Sequence, residues 1–148
     1  MKINFTKKEY LRLLDVLYIA DWIMHAFYSE DRAETKEYRD LEQNLFRFAK
    51  EFGADDLITL DSGGGEFMPT KEFEEESPAL EFIEEYEEES FWDELIGQLA
   101  KRDLVLKHGP QIMKIIFDDE DINNEFEKFK EKYAQEFKEN GLSNLRLS

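Results

Sequence analysis

Asp21 and His25 are the two side chains whose types and spacing come closest to a catalytic pair. Four residues apart on a helix they face the same way, and at ~100° per residue they fall beside Leu14 and Leu17, within an apolar arc. A carboxylate that orients an imidazole in a half-dry setting makes a general base. The same two groups can satisfy each other, or reach Tyr10 or Tyr18, and so tolerate burial as a hydrogen-bonded pair. The structural role is the expectation, and a small enzyme using Asp21 and His25 is one alternative. The chain has no cysteine, which excludes thiol nucleophiles, disulfides and thiolate metal sites. Its two histidines are not preceded by Glu at three residues, so zinc and di-iron patterns fail as well.

Two further stretches invite a chemical reading. Asp61-Ser62-Gly63-Gly64 resembles the surroundings of the nucleophile in chymotrypsin-like serine proteases, but Leu60 stands where that pattern has glycine. The chain is also too short and too helical for a double β-barrel, so the stretch reads as a loop. The lipase-type elbow fails at the same leucine, and no Gly-Lys-Ser/Thr follows the glycines to make a phosphate loop. Asp118 to Glu125 is rich in oxygen ligands. Aligned on a calcium-binding EF-hand, however, it puts Asn124 at the sharp turn and Lys130 at the bidentate glutamate. The acids suit the positive N-terminal end of the last helix instead. No metal and no cofactor are expected.

Charge is distributed unevenly. Residues 1–50 carry nine basic and nine acidic side chains, 51–94 one against seventeen, and 95–148 nine against ten, within a total of −17. Such a concentrated field repels nucleic acid and anionic membranes and attracts cations. On the helix expected after Pro78, Glu81, Glu84, Glu85, Glu87 and Glu88 fall within seven rises of ~1.5 Å, about one charge per 2 Å. That approaches the ~1.7 Å spacing of duplex DNA. Like charges three and four apart each cost roughly 0.2–0.5 kcal/mol, and the offset is expected from basic residues of the last helix (Lys128, Lys130, Lys132, Lys138) or from an external cationic protein. Phe91 and Trp92 follow directly, with Trp92 expected in the core and Phe91 a candidate contact.

These positions need elements to hold them. Thr6 with Glu9 forms a capping box for a helix over Lys7–Tyr28, nearly apolar all round beyond Asp15, hence central or shared with a second subunit. Lys8, Arg12 and Asp15 fall on its polar side. After a charged segment, Ser29–Arg39, a second helix presents Tyr38, Leu41, Leu45, Phe48 and Phe52, ended by Gly53. Leu57–Leu60 followed by Asp61-Ser62-Gly63-Gly64-Gly65 suggests a small hairpin or strand near 57–67. Ser77-Pro78 opens the acidic helix, with Ala79, Phe82, Ile83 and Tyr86 on its apolar face. Ser90 with Asp93 is expected to cap a separate helix bearing Trp92, Leu95, Ile96, Leu99 and Ala100. Gly109-Pro110 breaks the chain, Gln111–Phe117 fits helix or strand, and the last helix, Asp121–Glu139, carries Ile122, Phe126, Phe129, Tyr133 and Phe137 in one stripe.

The run Phe91-Trp92-Asp93-Glu94-Leu95-Ile96, with Leu99 and Arg102-Asp103-Leu104, resembles a segment of small bacterial proteins that carry no assigned activity, and the likeness extends to Pro69–Phe73 and the first helix. The resemblance implies a bacterial cytoplasmic helical domain and transfers no site. No signal-peptide pattern opens the chain, and Val16–Tyr28, the most apolar run, is short of the ~20 residues that cross a bilayer.

Taken together, the residues predict a mostly α single domain over 1–148, a bundle of about five helices with one small β-hairpin or strand near 57–67 and an acidic loop and helix at 61–94. The functional expectation is a non-enzymatic acidic interaction module, an adaptor or immunity-type inhibitor, engaging a basic protein partner or a second copy through Glu81, Glu84, Glu85, Glu87, Glu88 and Phe91. A nucleic-acid mimic that occupies a DNA- or RNA-binding protein is the other alternative. Direct nucleic-acid binding and membrane association are not expected.

Overall fold

The structure is a computed structural model that describes residues 3–28, 30 and 32–146. Met1 and Lys2 of the N-terminus, and Ser29 and Asp31 of the charged segment, lie outside the described residues. The chain is mostly α-helical and divides into two compact units, 1–84 and 85–148.

In the first unit, α1 (Lys7–His25) opens with the expected capping box: Glu9 N–H donates to Thr6 Oγ1 at 3.3 Å while Thr6 N–H donates to Glu9 Oε2 at 2.8 Å. Those bonds hold the Glu9 carboxyl below its ordinary value. A 3₁₀ turn (Ala33–Thr35) leads into α2 (Lys36–Phe46), followed by β1 (Ile58–Leu60), β2 (Phe67–Pro69) and the short α3 (Lys71–Glu76). The strands form an antiparallel hairpin in the register Ile58↔Pro69, Thr59↔Met68, Leu60↔Phe67. Asp61 closes its turn, accepting from Gly65 N–H at 2.7 Å, and Gly64 takes the positive φ of 69° that the reversal requires. The serine-protease-like tetrapeptide is therefore a hairpin turn.

The core of this unit is built on Tyr10, Leu14, Phe46, Ala49, Ala54, Ile58 and Phe73. Tyr10 stacks on Phe52 with ring centroids 4.3 Å apart, and its hydroxyl donates to Leu45 O at 2.8 Å. Burial pushes that phenol up to about 12. Asp15, expected on the polar side of α1, is 8% exposed. It accepts from Ser77 Oγ–H and from Arg12, both at 2.6 Å, so each of its buried oxygens has a donor. Ser77 Oγ in turn accepts from Ala79 N–H at 3.1 Å, in the capping place that Ser77-Pro78 predicts.

The α2 stripe is rotated from its expected position. Tyr38, Leu41 and Phe48 are exposed, while Phe46 and Ala49 are buried. Within the helix the inward side is that of Gln43 and Phe46, and because α2 stops at Phe46 and residues 47–53 run on as turns, the period from Tyr38 does not carry to Phe48 and Phe52. Gln43 lies on the inner side and bonds both backbone groups of Phe67, donating to its O at 2.8 Å and accepting from its N–H at 2.7 Å. α1 likewise ends at His25 rather than Tyr28, whose ring lies 4.1 Å beneath the Arg32 guanidinium.

Helix α4 (Ala79–His108) runs unbroken for 30 residues, with the division between units falling after Glu84. Two helices are expected here, the second capped by Ser90 and Asp93. No Gly or Pro interrupts residues 79–96, and a serine caps only where the backbone leaves helical geometry, so Ser90 stays inside the helix. A 3₁₀ turn (Pro110–Lys114) follows, then α5 (Glu120–Asn140). Asp119 caps α5 by accepting from Asp121 N–H at 3.0 Å and Ile122 N–H at 3.1 Å, so the acids of the EF-hand-like stretch serve a helix terminus. The second unit's core is Ala100, Leu104, Ile112, Ile116 and Phe126, with Ile122 and Phe129 packed on it. Trp92 is half-buried against Phe137, 5.4 Å between centroids.

Candidate functional site

Two groups of residues bear on function, and each sits where its local sequence puts it. On α4 the helical period buries Ile83 and turns Glu81 and Glu84, in the first unit, to solvent. Glu85, Glu87, Glu88 and Glu89, in the second, are exposed too. Among the described residues none of these six carboxylates has an ion-pair or hydrogen-bond partner. In the second unit Lys130 is 3.6 Å from Glu127, a neighbour on its own helix. Aromatics alternate with the acids: Tyr86 is 60% and Phe91 50% exposed, with Phe91 edge-on to Trp92 at 5.0 Å. This stretch can present several uncompensated charges together with flat apolar faces.

The second group lies at the end of α1. His25 Nδ1 is 2.8 Å from Asp21 Oδ1 and 3.1 Å from the Asp21 backbone O, the i,i+4 partner that the sequence indicates. Both are acceptors when the carboxyl is ionised, so Nδ1 carries a hydrogen and donates. Nε2 meets Thr35 Oγ1 at 2.8 Å, and Thr35 Oγ1 is 3.1 Å from Arg32 O. The threonine has one proton to give. With both ring nitrogens protonated, every contact in the chain Asp21–His25–Thr35–Arg32 is satisfied; with Nε2 bare, Thr35 bonds either the ring or the carbonyl.

Carboxylate, imidazole and hydroxyl in that order is the arrangement of an activated nucleophile. The hydroxyl here is buried, since Thr35 is 7% exposed, and the bonds fasten the 3₁₀ turn to the last turn of α1. Neither Tyr10 nor Tyr18 is the partner: Tyr10 bonds Leu45 O, and Tyr18 OH donates to Glu74 at 3.4 Å.

Glu42 adds a second carboxyl to this region. It borders a cavity of about 70 Å³ with Asp21, Arg39 and the apolar Leu17, Met24 and Tyr38. Burial pushes its carboxyl up to about 7, helped by the charges of Asp21 and Glu66 and opposed by Arg39. Sequence reasoning missed Thr35, ten residues from His25 and tied to it by no period. Glu42 left a signal: it stands four residues after Tyr38, beside the apolar positions of α2. Among the described residues no group of three His, Asp or Glu side chains converges as a metal site requires, and no helix is long and apolar enough to cross a membrane. Comparison with family models, curated proteins and solved structures found no match.

Proposed function

We propose that this protein is a non-enzymatic interaction module, a small bacterial cytoplasmic adaptor or immunity-type inhibitor, that engages a basic protein through α4. One observation carries the reading: Glu85, Glu87, Glu88 and Glu89 are exposed without a cationic partner among the described residues, beside the exposed rings of Tyr86 and Phe91. Carboxylates crowded at i,i+3 and i,i+4 spacing destabilise their own helix, and a cationic partner reverses the sign of that cost. Charge complementarity of this kind accelerates encounter and sets specificity, while exposed aromatics supply the contact area that charge alone does not.

The test is affinity capture at low and at moderate salt with wild type and with the Glu85→Lys, Glu87→Lys, Glu88→Lys variant. A basic protein retained by wild type at low salt, lost as salt rises and absent from the variant is the expected result. Equal retention by both proteins contradicts the proposal. Duplex DNA added to the captured complex separates the adaptor from a nucleic-acid mimic, since only a mimic shares its binding surface with DNA.

A further inference from the structure

We propose that the second unit contains a binding cleft for a small organic anion with an apolar body, formed where Arg102 of α4, Lys132 of α5 and Arg146 of the C-terminal turn converge. The cleft has a volume of about 390 Å³, within the ~300–1,000 Å³ of small-molecule sites. Its apolar wall comes from Leu99, Phe137 and Leu145. Three cations on one cleft stand out in a chain of net charge −17.

The cations differ in how far they are neutralised. Arg102 donates through Nε and Nη2 to Asp103 Oδ1 at 2.9 and 2.8 Å, and through Nη2 to Tyr133 Oη at 2.8 Å. Its charge is therefore matched, and its role is to fix the tyrosine. Tyr133 OH in turn donates to the other oxygen of Asp103. Arg146 Nη1 donates only to carbonyls, Ser143 O at 2.7 Å and Leu145 O at 3.3 Å. Lys132 Nζ lies 5.4 Å from the centre of the Tyr133 ring. Among the described residues neither Arg146 nor Lys132 makes an ion pair, though the charge of Lys132 helps hold the Asp103 carboxyl down. Glu136 also borders the cleft, with its Oε1 bonded by Asn140 at 3.0 Å and Asn144 at 2.6 Å.

Three cations against Asp103 and Glu136 leave one net positive charge, which selects a single anionic head. The field of the whole chain rejects a polyanion. A compact monoanion, by contrast, is screened from distant acids beyond a Debye length of ~8 Å at physiological salt. A carboxylate or sulfonate takes charge-assisted bonds from Lys132 and Arg146, and a ring or short chain behind it covers Leu99, Phe137 and Leu145.

The probe is 8-anilinonaphthalene-1-sulfonate, with uncharged N-phenyl-1-naphthylamine as its control. Amide shift mapping on the wild-type protein should place the sulfonate at residues 99–102, 132–137 and 144–146. The Lys132→Glu, Arg146→Glu variant should bind it at least about tenfold more weakly, with the uncharged probe little affected. Shifts centred elsewhere overturn the proposal, as does sulfonate affinity that the charge reversal leaves unchanged. The wild-type map decides the matter even if the variant fails to fold.

Discussion

Each of the two units is stabilised internally by different means. In residues 1–84, polar side chains reach far along the sequence to bind backbone or one another: Tyr10 to Leu45, Gln43 to Phe67, His25 to Thr35, Thr70 to Asp56 O, Ser77 to Asp15. In residues 85–148 the core is apolar and most polar contacts are surface ones, such as Lys107 and His108 on Glu125, apart from the part-buried bonds of Tyr133 to Asp103 and of Asn123 to Ile116 O. Short elements such as α3 and the two strands cannot bury a full amphipathic face, so the first unit adds directional bonds to its apolar packing. Long helices need only their stripe, and exposed ion pairs add little.

Substitutions can break or sharpen this contrast. The largest effect is expected from Leu104→Ala, which empties a fully buried position in the second unit; denaturant unfolding should record a loss of about 2–5 kcal/mol. Asp15→Ala is the first unit's counterpart and removes a buried acceptor from Ser77 and Arg12. A loss of about 1–3 kcal/mol is expected from it, and a neutral result would mean that the first unit also stands on packing alone.

Glu42 supplies the pH-dependent arm. Its carboxyl is raised from 4.5 to about 7, so the folded state binds the proton more tightly than the unfolded chain and stability falls as pH rises from about 4.5 to 7. Discounted for partial exposure, the contribution is about 1–2 kcal/mol. Glu42→Gln should flatten the thermal stability profile between pH 5 and 8 and raise stability at pH 8; an unchanged slope assigns the titration elsewhere. The smallest effect is expected from Gly97→Ala in α4. An added Cβ there meets no atom within 4 Å, and thermal unfolding should show a gain of about 0.5–1 kcal/mol.

The same contrast governs what the sequence made legible. The α5 stripe from Ile122 to Phe137 and the Thr6–Glu9 box could be read directly, because period and capping are local signals. α2 turns Gln43 and Phe46 inward where the period predicts Tyr38 and Leu41, and a period carried past Phe46 ignores where the helix stops. α3 is less legible: six residues with one buried ring, Phe73, make no period, and only Thr70, accepting from Phe73 N–H three residues on, is a local signal of it. At the candidate site, Asp21 and His25 were legible as an i,i+4 pair. Thr35 was not, because a bond between residues ten apart depends on the turn that joins them.

The most direct test of the central claim, that the α4 carboxylates carry charge left open for a cationic partner, is the salt dependence of the free protein's melting temperature. Wild type should melt higher as sodium chloride rises from about 20 to 500 mM, and the Glu85→Gln, Glu87→Gln, Glu88→Gln variant should gain clearly less. A flat or falling wild-type response would mean that those charges are already paired within the protein.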